Sequence, residues 1–278
     1  MIQFPNCKIN LGLSITQKRE DGYHHLDTVF YPIQLKDALE FVVSDELKLD
    51  ITGLNIPGPI EDNIILKAYH LLKQDFNHLP PLHIHLHKTI PTGGGLGGGS
   101  SNGAFMLKML NEYFNLGIEE NELALNRYAL KLGSDCPFFI LNKPCHALGR
   151  GELLEPITLD LSDYHFVLVF SGIHIPTGWA FSQLIPQEPD LSTKEIISHP
   201  ISSWQHLLKN DFEKPIFNTH PLLFSIKNKL IELGASYASM SGSGSTMFGI
   251  FKKESMSALK ENIQNDLFFK DLGVYFVE

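Results

Sequence analysis

The chain is poor in cysteine, with only Cys7, Cys136 and Cys145 among its 278 residues. Their number is odd and no two have Cys-x-x-Cys spacing, which argues against a disulfide framework and against a zinc site built on cysteine. We expect all three to be small buried hydrophobic side chains, as in proteins of a reducing compartment.

The chain also lacks an excess of positive charge. It carries 22 Lys+Arg against 31 Asp+Glu, a net charge of -9 and a sequence pI near 5.8. Residues 1–150 hold 13 basic against 16 acidic side chains and the remainder holds 9 against 15. This balance argues against a nucleic-acid partner. An anionic ligand would have to be held by local groups such as backbone N–H donors and a few placed cations.

Long hydrophobic runs are missing as well. No stretch approaches the roughly 20 apolar residues of a membrane span, and no basic segment precedes an apolar one at the N-terminus. We therefore expect a soluble, cytoplasmic chain with no membrane partner. Its hydrophobic content of 43% is ample for a core. The length predicts about two domains. We place a soft boundary near residue 150, giving 1–150 and 151–278, both of α+β class.

Hydrophobic periodicity predicts the order of the elements. Strands are expected at 7–15, 28–35, 38–52, 82–90 and 165–172, with a hairpin connection over 18–25. Helices are expected at 63–76, capped by Asp62, and at 120–132, 202–213 and 221–233, with a last helix starting near Glu254. The strict alternation of 82–90 puts His83, His85 and His87 on one face. A solvated face is favoured over a metal site there, and no metal-binding side chains are predicted.

Six of the seven residues from 93 to 99 are glycine. Such a run presents backbone N–H groups on one side, and a helical pattern follows it from Ser100 and Ser101. Unpaired N–H groups at a helix start favour bound phosphate. The loop has no Gly-Lys pair, so it is not a Walker A loop. It contains Gly-x-Gly-x-x-Gly, but Pro91 and Thr92 separate it from the strand, unlike a dinucleotide-binding turn.

The string PTGGGLGGGSS at 91–101 resembles the P-x-x-x-G-L-G-(G/S)-(G/S)-S-(S/A) motif of the GHMP kinases, and SGSGSTMFG at 241–249 resembles their second glycine motif. Other segments resemble one branch of that family, which phosphorylates a hydroxyl of a cytidine-diphosphate sugar alcohol in the non-mevalonate isoprenoid route. They are PNCKINLGLSITQKREDGYHHLDTVF (5–30), LGSDCPFF (132–139), GRGE (149–152) and IPTGWAF (175–181). Asn6, Cys7, Ser134 and Cys136 depart from that branch without removing a functional group.

The resemblance implies a two-domain GHMP kinase fold, with a ribosomal-protein-S5-like N-terminal ATP-binding domain and a ferredoxin-like C-terminal domain. It implies ATP and Mg²⁺, a small-molecule acceptor, and a monomer or homodimer. Asp135 would be the general base and Lys8 its partner. The nucleotide would be bound by Pro91, Gly93, Gly94, Gly95, Leu96, Gly97, Gly98, Gly99, Ser100, Ser101, Asn63 and Lys88. The substrate would be bound by Asn10, Tyr23, His24, Thr177, Phe181, Gly242 and Ser243.

Simpler roles stay open for several of these residues. Asp135 follows a predicted helix and is equally placed to cap the next element. Lys8 lies among apolar residues, where it needs an anionic partner unless its ammonium reaches solvent at a sheet edge. Two alternative functions also remain. One is another GHMP kinase acting on homoserine or a mevalonate-type acid, and the other is a non-catalytic nucleotide-binding protein on the same scaffold.

Overall fold

A computed structural model describes residues 1–118 and 122–278. Its strands are β1 (Ile2–Gln3), β2 (Asn6–Lys18), β3 (His24–Lys36), β4 (Ala38–Val43), β5 (Lys48–Gly53), β6 (Leu82–Lys88), β7 (Cys145–Leu148), β8 (Leu153–Pro156), β9 (Tyr164–Phe170), β10 (Tyr237–Met240), β11 (Met247–Lys252) and β12 (Gly273–Val277). Its α-helices are α1 (Ile64–Asp75), α2 (Gly98–Tyr113), α3 (Glu122–Leu132), α4 (Cys136–Leu141), α5 (Thr177–Ser182), α6 (Thr193–Ile197), α7 (Trp204–Leu207), α8 (Glu213–Thr219), α9 (Pro221–Glu232) and α10 (Met256–Asn265).

The chain divides into two compact units, and neither is continuous in sequence. The first comprises Met1–Lys8, Leu35–Thr92 and Gly97–Lys143. The second comprises Ile9–Gln34, Gly93–Leu96 and Pro144–Glu278. Strand β2 and the glycine loop therefore each contribute residues to both units.

The first unit has a sheet of order β1-β4-β6-β5, in which only the β5–β6 pair is parallel. Strand β6 shows why this sheet forms. Leu82, Ile84 and Leu86 are fully buried on one face of the strand, and the alternate histidines are more exposed on the other. Helix α1 packs on α2, and α4 packs on both α2 and α3. The buried faces of these helices complete the core of this unit.

The second unit contains an antiparallel sheet of order β10-β11-β9-β12. Helices α5–α9 connect β9 to β10, a turn joins β10 to β11, and α10 leads to β12. This βαββαβ order is the ferredoxin-like arrangement, as expected. Its core is formed by residues of the sheet and of helices α8–α10, among them Val167, Ile226 and Met240. A further sheet has the order β2-β3-β7-β8.

Most predicted elements are present, with differences in their bounds. The predicted strand 38–52 is two strands, because residues 44–47 form a bend between β4 and β5. The last helix starts at Met256 after a 3-10 turn at Lys253–Ser255. Helix α2 begins at Gly98, two residues earlier than the helical pattern starts. The predicted start of the next helix at Glu120 lies outside the described residues.

Two local predictions were wrong. Asp62 does not cap α1, because it ends a 3-10 helix; Asn63 is extended and accepts a hydrogen bond from Ile65 N at 3.0 Å. The predicted helix 202–213 is interrupted after α7. There Asn210 Oδ1 accepts from Phe212 N at 3.0 Å and Asp211 Oδ2 from Ile15 N at 2.8 Å. These polar side chains compete with helical hydrogen bonds for the backbone.

The three cysteines are fully buried and reduced, as predicted. Burial raises the pKa of each thiol to about 12. In the described part of the chain no helix has the length and apolar character needed to cross a bilayer.

Candidate active site

Lys8 and Asp135 form an ion pair within the first unit. Lys8 lies on β2 between two fully buried residues, Cys7 and Ile9. Its Nζ is 3.5 Å from Asp135 Oδ2, and the side chains are 5% and 33% exposed. An ammonium in such an apolar place requires an anionic partner. The pair therefore combines an almost buried cation with a carboxylate that reaches solvent or a ligand.

Asp135 holds the cap position of helix α4 without acting as a cap. Its backbone is at φ -83° and ψ -15°, and its side chain makes no capping hydrogen bond. The short turn after α3 thus aims the carboxylate at Lys8 and not at the N–H groups of α4. This geometry disfavours the simple capping role left open by the sequence.

The last part of the glycine loop lies against the same pair. A Cβ on Gly97 would be 3.0 Å from Phe139 Cζ and 3.3 Å from Lys8 Cε, and its φ is +68°. Only glycine allows this conformation and this approach without displacing a neighbour. The phosphate loop predicted from the sequence is thereby brought to Lys8.

Helix α2 begins here with unpaired donors. Gly97 offers no side-chain cap. Among the described residues, Ser101 N is the first N–H group of the helix with a backbone acceptor, which is Gly97 O at 2.9 Å. Ser101 Oγ is buried and has no hydrogen-bond partner among residues 1–118 and 122–278. Orphan N–H groups, a helix dipole and an unused hydroxyl form a site that favours an oxyanion.

Lys88 lies in the interior beneath this helix start. Its side chain is 1% exposed, and its ammonium pairs with the carboxylate of Asp37, whose side chain is fully buried. Asp37 also accepts from Thr89 N at 2.7 Å, Ile90 N at 2.9 Å and Asn102 Nδ2 at 2.9 Å. Burial lowers the pKa of Lys88, against the opposing effect of Asp37. The network joins β6 to α2, and no sequence pattern singled out Asp37 or Asn102.

In the second unit, the loop segment 93–96 is bound to the second glycine motif. Ser241 Oγ donates to Gly95 O at 2.8 Å, and Thr246 N donates to Gly94 O at 3.1 Å. A Cβ on Gly95 would lie 2.0 Å from Ser241 O. The two glycine motifs, 146 residues apart, are therefore in direct backbone contact.

Asn10 and Gly242 lie next to this contact. Asn10 is buried and its Nδ2 donates to Thr28 Oγ1 at 3.0 Å. A Cβ on Gly242 would be 3.5 Å from Asn10 Oδ1. Asn210 Nδ2 donates to Gly242 O at 2.9 Å and to Met240 O at 2.8 Å. Asn210 thus fixes the second glycine turn, and no sequence pattern had singled it out.

The three predicted base-binding rings lie in the second unit. Tyr23 is 53% exposed. The His24 ring stacks on that of Phe181, with centroids 5.0 Å apart and planes at 20°. Phe181 also meets Phe212 edge-on at 4.9 Å. Burial lowers the pKa of His24, so the stacked imidazole favours its neutral form. One face of Phe181 is thereby covered by His24.

The remaining predicted residues lie at helix starts and in the two glycine motifs. Asn63 caps α1, Thr177 is an exposed residue at the start of α5, and Ser243 is half-buried in the second glycine turn. Pro91 and Leu96 are buried, and Ser100 is half-buried in the first turn of α2. The nucleotide and substrate roles of these residues stay predictions.

The alternating histidines of β6 find partners on neighbouring strands. His83 Nε2 is 2.7 Å from Asp50 Oδ2, and His85 Nδ1 is 3.2 Å from Glu40 Oε1. These carboxylates come from β4 and β5, which flank β6. Even so, no cluster of three or more metal-ligating side chains occurs in the described residues.

These features together define a class of phosphotransferase, and two family models match the chain. The model of the GHMP kinase N-terminal domain matches residues 63–143, and that of the GHMP kinase C-terminal domain matches residues 192–268. The chain belongs to the GHMP kinase family. Membership implies ATP as the phosphoryl donor for a small-molecule acceptor.

Several similar proteins carry a more specific name than that of the family. The chain is 52% identical over 258 residues to 4-diphosphocytidyl-2-C-methyl-D-erythritol kinase of Bacteroides fragilis, covering 91% of this chain and 93% of that protein. The enzyme of that name from Bacteroides thetaiotaomicron is 50% identical with the same coverage. A crystal structure of 4-(cytidine 5'-diphospho)-2C-methyl-D-erythritol kinase is similar with a TM-score of 0.83 and 30% identity, over 100% of this chain and 98% of that one.

Proposed function

We propose that this protein transfers the γ-phosphoryl group of ATP to the 2-hydroxyl of 4-diphosphocytidyl-2-C-methyl-D-erythritol, giving the 2-phosphate and ADP. The observation that carries the proposal is the Lys8–Asp135 pair at 3.5 Å, beside a glycine loop whose Gly97 approaches the Lys8 side chain. The relatives of that name, at 50–52% identity, support this acceptor.

In this mechanism the acceptor hydroxyl gives its proton to Asp135 as its oxygen attacks the γ-phosphorus. The new O–P bond forms while the bond to the β-phosphate oxygen breaks, and ADP leaves. Lys8 neutralises charge that develops on the acceptor oxygen and the transferred group. Positioning and charge stabilisation are the main means of catalysis in phosphoryl transfer.

The phosphates would lie at the start of α2, where N–H groups lack partners within the described chain. Mg²⁺ fits this place, because the buried Ser101 hydroxyl has no partner there and magnesium is usually held by few protein ligands together with phosphates and water. When bound, the ion would neutralise phosphate charge. A division into an ATP-binding part before residue 150 and a substrate-side part after it stays part of this proposal.

The cytosine base would stack on Tyr23 and contact Phe181, with His24 at the base edge. Asn10, Gly242 and Ser243 would contact the polar chain of the substrate, with Thr177 beside them. The lowered pKa of His24 supports a neutral imidazole, which offers both a donor and an acceptor to a base.

The test is ADP release with Mg-ATP and four acceptors: the cytidine compound, homoserine, mevalonate and phosphomevalonate. We expect turnover only on the cytidine compound. Asp135→Asn should lower kcat by about 10²–10⁴-fold, the usual contribution of a general base, with the Kd for ATP unchanged. Turnover on another acceptor alone would contradict the substrate, and an active Asp135→Asn variant would contradict the base.

A further inference from the structure

The proposed function leaves the GRGE turn at residues 149–152 without a role, although this turn lies against the strand that carries the base-binding residues. Leu26 N, two residues after His24, donates to Gly149 O at 2.8 Å. The guanidinium carbon of Arg150 lies 4.6 Å from the centroid of the Tyr23 ring. Turn and strand belong to the same compact unit.

The Arg150 side chain is held by its own turn. Glu152 Oε2 accepts from Arg150 N at 2.5 Å, and Glu152 Oε1 is 3.8 Å from Arg150 Nε. Arg150 Nε is buried and has no hydrogen-bond partner in the described chain. The guanidinium thus lies over the ring of Tyr23 and near the charge of Glu152. Its charge also helps to lower the pKa of Asp21.

The backbone of Tyr23 is fixed independently of its ring. Tyr23 N donates to Asp21 Oδ1 at 3.1 Å, and Arg19 N donates to Tyr23 O at 2.8 Å. Asp21 in turn is paired with Arg19 at 2.8 Å. These contacts set the position of the Cα atom of Tyr23, but they leave the rotation of a side chain that is more than half exposed.

A cation over one face of an aromatic ring is attracted to it, and this attraction selects one ring orientation. A side chain ordered in advance does not have to be ordered when a ligand binds. With Arg150 over one face of Tyr23, a planar base would meet the other.

We propose that Arg150, held by Glu152, is a positioning residue that presents one face of Tyr23 to the pyrimidine base of the substrate. This inference rests on the proposed function, in which Tyr23 stacks on that base. Stacking does not distinguish one base from another. Arg150 should thus strengthen the binding of cytidine and uridine nucleotides in equal proportion.

The experiment compares Arg150→Gln, Arg150→Lys and Glu152→Gln with the unchanged chain. The matched control is Arg127→Gln, which removes the same charge from an exposed position of α3. We expect Arg150→Gln to raise the KM for the cytidine substrate about tenfold, with kcat and the KM for ATP within about twofold. Arg150→Lys should recover part of the loss, and Arg127→Gln should change nothing.

Calorimetric titration with CMP and UMP keeps the test independent of turnover. We expect Arg150→Gln to weaken both nucleotides about equally. If the chain does not turn over the cytidine substrate, the proposed function fails, yet weaker CMP binding by Arg150→Gln would still support the role of Arg150. An unchanged substrate KM and CMP affinity would overturn it. A joint decrease in kcat and Tm with an increase in both KM values would also overturn it, because it indicates a structural role. The absence of CMP binding by the unchanged chain would overturn it as well.

Discussion

At the scale of single residues, Gly95 in the glycine loop and Gly99 in the first turn of α2 are under opposite constraints. A Cβ at Gly95 would lie 2.0 Å from the carbonyl oxygen of Ser241, and the φ of Gly95 is +77°. A Cβ at Gly99 would meet no atom of the described residues within 4 Å beyond its chain neighbours and the backbone of its own helix. The glycines of this run are therefore under different constraints: close backbone contact at Gly95 and open space at Gly99.

This difference predicts opposite effects of the same substitution. Gly95→Ala forces a backbone shift and a left-handed alanine, and should lower the free energy of unfolding by more than about 2 kcal/mol. Gly99→Ala lies in a helix, where alanine is favoured, and should leave that energy unchanged or raise it by up to about 1 kcal/mol. Urea unfolding of both variants measures this free energy of unfolding. Equal destabilisation by the two would contradict the contact between Gly95 and Ser241.

The sequence allowed Lys8 and Asp135 to be singled out, and the structure pairs them. It did not allow the environment of Lys88 to be predicted, since its partner Asp37 lies 51 residues earlier in the chain. An isolated lysine at the end of a strand looks the same whether its ammonium meets a phosphate or a buried carboxylate. The distinction depends on tertiary contacts that no local pattern records.

At the scale of elements, α1 is preceded by an asparagine, Asn63, that has two candidate roles. Asn63 Oδ1 accepts from Ile65 N at 3.0 Å, which satisfies one of the orphan donors of the helix. The same side chain is a predicted nucleotide contact. The two roles make different demands, because a cap needs only an acceptor oxygen, whereas a nucleotide contact through the amide would need its donor as well.

Asn63→Ala should lower the free energy of unfolding by about 1 kcal/mol, through loss of the cap. Asn63→Asp keeps an acceptor and should restore most of this stability. If Asn63 acts only as a cap, the KM for ATP of Asn63→Asp will match that of the unchanged chain. A stable Asn63→Asp variant with a raised KM for ATP would instead establish the nucleotide contact.

Elements with strong local signals were predictable, and those decided by distant partners were not. Helix α9 and strand β6 follow their hydrophobic periods closely. The interruption after α7 depends on Asp211 binding Ile15 N, 196 residues away in sequence. Likewise, the start of α2 at Gly98 could not be predicted, because intrinsic propensity disfavours glycine in a helix and the packing that outweighs it here is tertiary.

At the scale of the whole molecule, the cysteines report on both compact units. Cys7 and Cys136 belong to the first unit and Cys145 to the second. All three are fully buried, and burial raises the pKa of each thiol to about 12, well above that of a thiol in an unfolded chain. Since the thiolate is the reactive form, the native chain should be nearly inert to thiol reagents.

Labelling with N-ethylmaleimide at about pH 8 therefore measures how readily the fold opens around each buried thiol. An unfolded thiol is substantially ionised near that pH, so it reacts once it is exposed. We expect one shared rate for Cys7 and Cys136, since both lie in the core of the first unit and a cooperative unit opens as a whole. The rate of Cys145 reports the second unit separately. Mass spectrometry of peptides gives the three rates, and concentrated guanidinium chloride, in which all three should react rapidly, is the control.

If Cys7 reacted much faster than Cys136, strand β2 would be opening without α4. The Lys8–Asp135 pair would then be broken in the opened fraction of the molecules, and Cys7 and Cys136 would not belong to one cooperative unit.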